Sequence, residues 1–383
     1  MQRIYFDHSA TTPVDERVVV TMTEYMLEKF GNPSSAHSFG REAKAAMDKA
    51  RESVASMLNC DPAEVFFTSG GTEADNLALI GYALANRQRG NEIVISNIEH
   101  PAVKAAAIEL ESLGFNIKTA PADRYGEVTL EALKSLLSGQ TLLVSIMHIN
   151  NEIGTINDIE RIGEHLCERN ITFHSDAVQS FGKVPIDVRK MHIDMLSLSG
   201  HKIYGPKGIG ALYVRDGLKL HPRQFGGKHE AGLRSGTENL PGIVGLGVAT
   251  DICRQIIDDE ASRLTELRDE LFARLDEKLD AITLNGHPSQ RLPGNLNITF
   301  QGVEGEALLV ALDLEGIAVS SGSACSSGST KPSAVLLALG MSEIEAQSSI
   351  RITLGRDNTP QDIDYASRII VDSVERLRRM SGN

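Results

Sequence analysis

Between residues 64 and 214 the chain alternates short apolar runs with amphipathic ones, and that alternation restricts the fold more than any other feature. Glu64-Val65-Phe66-Phe67-Thr68, Glu92-Ile93-Val94-Ile95-Ser96, Phe115-Asn116-Ile117-Lys118-Thr119, Thr141-Leu142-Leu143-Val144-Ser145-Ile146 and Ile171-Thr172-Phe173-His174 read as strands. So do residues 192–198, which alternate apolar and polar, and Ala211-Leu212-Tyr213-Val214. The stretches between them, about 129–137 and 158–169 among others, carry helical spacing. Strands joined through helices run parallel and need cover on both faces. The expectation is therefore an α/β fold, a mostly parallel central sheet covered by helices, with ligands at the carboxyl ends of the strands.

Polar clusters fall at those ends. Ser69-Gly70-Gly71-Thr72 follows one strand and opens a helix, which offers free N–H groups to an anion; it reads equally as a tight turn capped by Ser69. No Lys follows the second Gly, so it is not a Walker A loop, and no G-x-G-x-x-G stands between a strand and a helix. His100 follows Ser96 and reads as a core or capping histidine unless a base is needed there. Asn150-Asn151-Glu152 follows another strand, and Asp176 with Gln179 the next. Ser199-Gly200-His201-Lys202 precedes the turn Gly205-Pro206-Lys207-Gly208. A lysine at a strand end, beside Ser and His, suits a Schiff base with an aldehyde cofactor; alone it reads as readily as a surface lysine in a turn.

The 383 residues exceed one small core and point to two or three domains. A formal charge of −13 with no cationic stripe argues against nucleic acid. Nowhere do 18 apolar residues run together and the first residues hold no apolar signal core, so neither a membrane nor export is expected, and the chain is placed in the cytoplasm. Cys60, Cys167, Cys253 and Cys325 are scattered singly, which disfavours a disulfide framework or a self-contained zinc site.

Helices are expected over about 15–30 and 40–58, and a polar glycine-rich loop over 226–239. A long helix over about 241–279, broken once, would connect two domains. Beyond it the texture becomes α+β, with an exposed strand over 295–300, a short one over 317–319 and a last helix to about residue 378. The expected division is 15–255 as a large α/β domain, and 1–14 with 256–383 as a small α+β domain. Within the latter, Ser320-Ser321-Gly322-Ser323-Ala324-Cys325-Ser326-Ser327-Gly328-Ser329-Thr330 offers almost no side chain with which to pack itself down, so Cys325 is expected on a mobile arm, as a nucleophile. The other three cysteines lie in or beside amphipathic helices and are expected to pack as small hydrophobes.

Taken together, residues 7–13, 30–35, 68–76, 99–100, 150–154, 174–179, 199–208, 234–237, 320–326 and 349–351 give the chain a resemblance to the pyridoxal-phosphate cysteine desulfurases of the NifS/IscS type, along essentially its whole length. The resemblance implies a fold-type I architecture and pyridoxal 5'-phosphate as cofactor. It implies that Lys202 carries the cofactor and shuttles the Cα proton, that Asp176 pairs with the ring nitrogen, Gln179 with the ring hydroxyl, and that His100 stacks on the ring and moves protons. Gly71, Thr72, Ser199 and His201 would hold the phosphate, and Thr237 would reach the phosphate of a neighbouring subunit in a homodimer with shared sites. Asn151, also near the cofactor, and Arg351 would take the carboxylate of L-cysteine. Cys325 would attack the substrate sulfur, release alanine and carry a persulfide to an acceptor or scaffold protein for iron–sulfur cluster or other sulfur-cofactor assembly. No metal set is assigned, Cys325 being a candidate transient cluster ligand. Gly71 and Val178 stand where some members have Ala and Thr, and the chain ends soon after residue 378, which leaves the acceptor open. Rival readings are another fold-type I enzyme, an aminotransferase or selenocysteine lyase, and a non-catalytic persulfide or cluster scaffold.

Overall fold

The computed structural model describes residues 3–321 and 331–382. Its centre is a seven-stranded sheet in the order Val65–Thr68, Gly210–Val214, Met195–Ser199, Thr172–Asp176, Thr141–Ser145, Glu92–Ser96, Asn116–Ala120. Only Gly210–Val214 opposes the other six, since it pairs antiparallel on both sides while the remaining neighbours pair parallel. The inner strands are buried along their whole length, as continuous apolar runs between two helical layers must be. On one face, helices Ser38–Leu58, Ile159–Glu168 and the first half of Leu240–Lys278 bury Val94, Val144, Phe173 and Leu196. On the other, Pro101–Ser112 and the helical run that starts at Gly71 cover Ile93, Ile95, Leu143 and Met195.

A second core gathers around a three-stranded antiparallel sheet in which Asn295–Phe300 lies between Ser349–Thr353 and Ile282–Leu284. Helices Gly305–Leu314 and Pro360–Met380 and the second half of Leu240–Lys278 pack on it, joined by Ile4 and Phe6. The N-terminal pair Ile4–Tyr5 runs parallel beside Ile317–Ala318.

Several expectations are corrected. The strand 295–300 is not exposed: all six residues are buried. Its polar face, Asn295 and Asn297, turns inward to donate to the Glu152 carbonyl at 3.4 and 3.3 Å. The helix Leu240–Lys278 is continuous over 39 residues. Its length and hydropathy would suit a bilayer, but 61% of its most apolar window is buried inside the protein. The strand expected from residue 192 starts at Met195, because His192 sits at φ 50°, a left-handed value that ends extended backbone. Gly70, and not Ser69, holds the helix N-cap position. Cys253 is buried and Cys60 half-buried, but Cys167 is exposed. The second-core strands Ile282–Leu284 and Ser349–Thr353 had no counterpart in the sequence reading.

Candidate functional site

The carboxyl ends of the parallel strands open on a cleft of about 630 Å³. Its wall is built by Gly71, Thr72, His100, Asn151, Asp176, Gln179, Ser199, His201, Lys202 and Arg351, together with Ser9, Asp75, Met147 and Val178. Ten of the residues singled out from the sequence thus converge. Thr237 is exposed and does not line the cleft of its own chain. Cys325 lies outside the described residues.

The strand Met195–Ser199 ends in a 3-10 turn, Gly200–Lys202, that carries Lys202 into the cleft. Lys202 is 9% exposed, and its Nζ donates to the carbonyl oxygens of Ser9 at 2.5 Å and Ala10 at 2.7 Å. It is not a solvated surface lysine. Asp176 ends the neighbouring strand and its Oδ1 accepts the Val178 N–H at 2.9 Å. Burial raises the Asp176 pKa, and the charges of His100 and Lys202 with the Val178 N–H oppose that rise. His100 is both a cap and a wall of the cleft: its Nδ1 accepts the Ala102 N–H at 3.2 Å while it heads the helix Pro101–Ser112. Gln179 donates to the Ser9 carbonyl at 2.9 Å. His201 is held by Thr11 Oγ1 at 3.1 Å, and burial, then the charges of Lys202, Lys207 and Lys183, lower its pKa to about 4. It is therefore a neutral hydrogen-bonding group at neutral pH.

Arg351 reaches the cleft from the second sheet. Its Nη1 donates to the Asn151 carbonyl at 2.9 Å and its Nη2 to Asp7 Oδ1 at 2.8 Å, while its buried Nε has no hydrogen-bond partner among the described residues. Asn150 fixes the adjoining turn by accepting the Glu152 and Ile153 N–H groups at 2.9 and 3.1 Å.

This donor set fits a phosphorylated pyridine aldehyde. Gly70, at φ 155°, and Gly71 leave bare backbone where the helix begins; a Cβ on Gly71 would meet Val178 Cγ2 at 2.5 Å. Thr72, Ser199 and His201 add donors beside it. The buried Asp176 carboxyl suits a ring nitrogen, the Lys202 amine an aldehyde, and the buried Ser9 Oγ is without a hydrogen-bond partner. The two departures noted in the sequence, Gly71 and Val178, lie against each other, so the missing side chain of one makes room for the branched side chain of the other.

Four contributors escaped the sequence reading: Asp75, Glu99, Asp7 and the carbonyls of Ser9 and Ala10. Asp75 had a signal, a lone carboxylate in the apolar run Ala74-Asp75-Asn76-Leu77-Ala78-Leu79. It is 1% exposed, and burial with the nearby Asp176 drives its pKa well above the usual carboxylate range.

Comparison with known proteins agrees with this geometry. The family model described as Aminotransferase class-V matches residues 4–366. A protein named cysteine desulfurase IscS from Methanosarcina thermophila is 49% identical over 378 residues, 99% of this chain and 93% of that protein. One named cysteine desulfurase IscS 1 from Archaeoglobus fulgidus is 46% identical, covering 98% of each. Among solved structures, one titled NifS-like protein superposes with a TM-score of 0.92 at 39% identity, over 98% of this chain and 100% of that one.

Proposed function

We propose that this chain, which belongs to the class-V aminotransferase family, is a cysteine desulfurase that holds pyridoxal 5'-phosphate in the cleft, takes the sulfur of L-cysteine onto Cys325 as a persulfide and releases L-alanine. The observation that carries the reading is the meeting of Lys202, Asp176 and Arg351 in one largely buried cleft at the strand ends. An amine, a partner for a ring nitrogen and a fork for a carboxylate are what an amino acid and a pyridine aldehyde require together.

When bound, the cofactor supplies the electron sink that acidifies Cα of the amino acid. Asp176 keeps a proton on the ring nitrogen. Gly71, Thr72, Ser199 and His201 would hold the phosphate, Gln179 would bond the ring hydroxyl, and His100 would stack on the ring and exchange protons. Arg351 and Asn151 orient the carboxylate. Lys202 anchors the cofactor and moves the Cα proton, a role suited to an amine whose stem is fixed by a buried turn. The Cys325 thiolate attacks the substrate sulfur: an S–S bond forms, the Cβ–S bond breaks, and its electron pair stays with the carbon skeleton, which takes up protons and leaves as alanine.

Thr237, exposed on its own subunit, completes the phosphate site of a second copy in a homodimer; the exposed apolar Val20, Leu27 and Phe30 support such an assembly. The chain divides into domains 15–255 and 1–14 with 256–383, which the two separate cores support. The chain acts in the cytoplasm, and the persulfide passes to an acceptor of the iron–sulfur assembly class, the latter reading supported by relatives named IscS.

The test is the intact mass of the cofactor-loaded protein after brief exposure to L-cysteine without reductant. One added sulfur on the Cys325 peptide, absent from Cys325→Ala and Lys202→Ala, is the expected result. No added sulfur in protein shown to hold the cofactor overturns the desulfurase and leaves an aminotransferase.

A further inference from the structure

We propose that Asp75 is the protonated member of a buried carboxyl pair and is a positioning residue for Asp176, leaving the negative charge of the cleft on Asp176 alone. The functional half of this inference rests on the reading that Asp176 holds the cofactor's ring nitrogen; the protonation state does not.

The geometry comes first. Asp75 is 1% exposed and lines the cleft, its Oδ1 is without a hydrogen-bond partner among the described residues, and a carboxylate oxygen of Asp75, one of Asp176 and a ring nitrogen of His100 all lie within 4.8 Å of one another. Two carboxylates this close in a buried site do not both ionise without a cation between them. No Lys or Arg forms an ion pair with Asp75 among the described residues. The nearest base is His174, whose Nε2 lies 3.7 Å from Asp75 Oδ1. His174 is itself fully enclosed, with Nδ1 on Ser145 Oγ at 2.8 Å and Nε2 on Ser197 Oγ at 3.0 Å, and burial lowers its pKa to about 3. It is neutral and gives Asp75 no countercharge.

The groups facing the pair sort the proton. His100 and Lys202 act on Asp176 and favour its ionised form. Asp75 faces the carboxyls of Asp176 and Glu99, with the Ser197 hydroxyl in favour of its charge; a His100 ring nitrogen lies within 4.8 Å of both aspartates, but its charge favours ionisation of Asp176. Asp75 therefore keeps the proton, Asp176 the charge. A neutral carboxylic acid beside Asp176 donates a hydrogen bond where an ionised one would repel, and it leaves a single anion to oppose a protonated ring nitrogen.

Asp75→Asn and Asp75→Ala separate the roles. The amide keeps the shape, the neutrality and a donor; Ala keeps only the neutrality. Infrared difference spectra between wild type and Asp75→Asn, both cofactor-free at neutral pH, should show the loss of one protonated-acid carbonyl band, that of the buried Glu99 remaining in both. Titration of the same proteins with pyridoxal phosphate should give Asp75→Asn a dissociation constant within about twofold of wild type. Asp75→Ala should bind about tenfold more weakly, the loss of one donor, and its bound cofactor's visible band should change at a displaced pH. Loss of carboxylate bands instead of the acid band in Asp75→Asn, or an Asp75→Asn defect as large as that of Asp75→Ala, overturns the proposal. A wild-type protein that binds no pyridoxal phosphate would sink the desulfurase reading while leaving the infrared result to stand or fall on its own.

Discussion

Replacing Arg351 by Gln should remove the grip on the substrate carboxylate while sparing the cofactor. The guanidinium is 3% exposed, donates to Asp7 and to the Asn151 carbonyl, and holds one buried N–H, on Nε, without a hydrogen-bond partner. A carboxylate seated here gains two charge-assisted hydrogen bonds, each worth about 1.5–3 kcal/mol. Losing both costs about 3–5 kcal/mol, roughly a 150- to 5,000-fold fall in kcat/KM. Arg351→Lys keeps the charge but not the fork, so about half the loss, roughly 12- to 70-fold, should return. Asp7 adds little of its own to the defect, because at 18% side-chain exposure it can hydrate once its partner is gone. The assay is alanine formation from L-cysteine, with the cofactor band recorded to show that the site is loaded. The control is cysteamine, the same thiol and amine without the carboxylate. If Arg351 binds only the carboxylate, wild type and Arg351→Gln handle cysteamine alike. Equal damage on both substrates, or less than about a tenfold loss on L-cysteine, would refute the reasoning.

Two further outcomes follow from packing and charge. Gly71→Ala drives a methyl to 2.5 Å from Val178 Cγ2 beside the phosphate cradle and should weaken cofactor binding by about 1–3 kcal/mol, with Val178→Ala restoring much of it; a cofactor titration in which the double variant is no better than the single refutes the shared space. Glu99 has one oxygen satisfied by Ser96 Oγ and the Met147 N–H and the other, Oε2, without a hydrogen-bond partner, and burial raises its pKa from 4.5 to about 8. The folded chain therefore binds a proton there that the unfolded chain has released, so this stabilising contribution is complete below pH 4.5 and is lost as pH rises through 8. Glu99→Gln should flatten the fall in melting temperature between pH 4.5 and about 8, and an unchanged profile would refute the protonated state.

The central sheet was legible because its strands are buried on both faces and so are written as unbroken apolar runs, and because strand ends are where such sheets place chemistry. Lys202 and Asp176 could be located on that logic alone. The second sheet was harder. Ile282–Leu284 is three residues long and Ser349–Thr353 pairs with a strand more than fifty positions away, so neither announces a neighbour locally. Asn295, Asn297 and Thr299 looked like a solvated face because polar residues facing a polar interior have the same period as polar residues facing water. The carbonyls of Ser9 and Ala10 carry no sequence signature at all, since every residue has one. Arg351 had no local signal either; its role entered only through the resemblance.

The N-terminal segment shows why the cleft stays ordered when it must also yield. Asp7 holds Arg351, the carbonyls of Ser9 and Ala10 hold Lys202, the Ser9 carbonyl also takes Gln179, and Thr11 holds His201. The same segment is fastened to the second sheet by the Ser9 N–H on Thr353 Oγ1 at 2.9 Å and to the Lys202 turn by Thr12 Oγ1 on the His201 carbonyl at 3.0 Å. Strands fix where the reactive backbones stand; this strip of six residues, Asp7 to Thr12, fixes where their cations wait. A carboxylate that takes the Nη2 edge of Arg351 must do so by exchange with Asp7, and the amine of Lys202 acts only as it leaves two carbonyls. The net gain on binding is then the carboxylate's bonds less the Asp7 contact they replace, which puts the Arg351→Gln loss toward the lower end of its range. An anion lacking a second group to anchor in the cleft recovers too little in that exchange to displace Asp7, so the contact that keeps Arg351 in place also screens the amino acid from simpler acids.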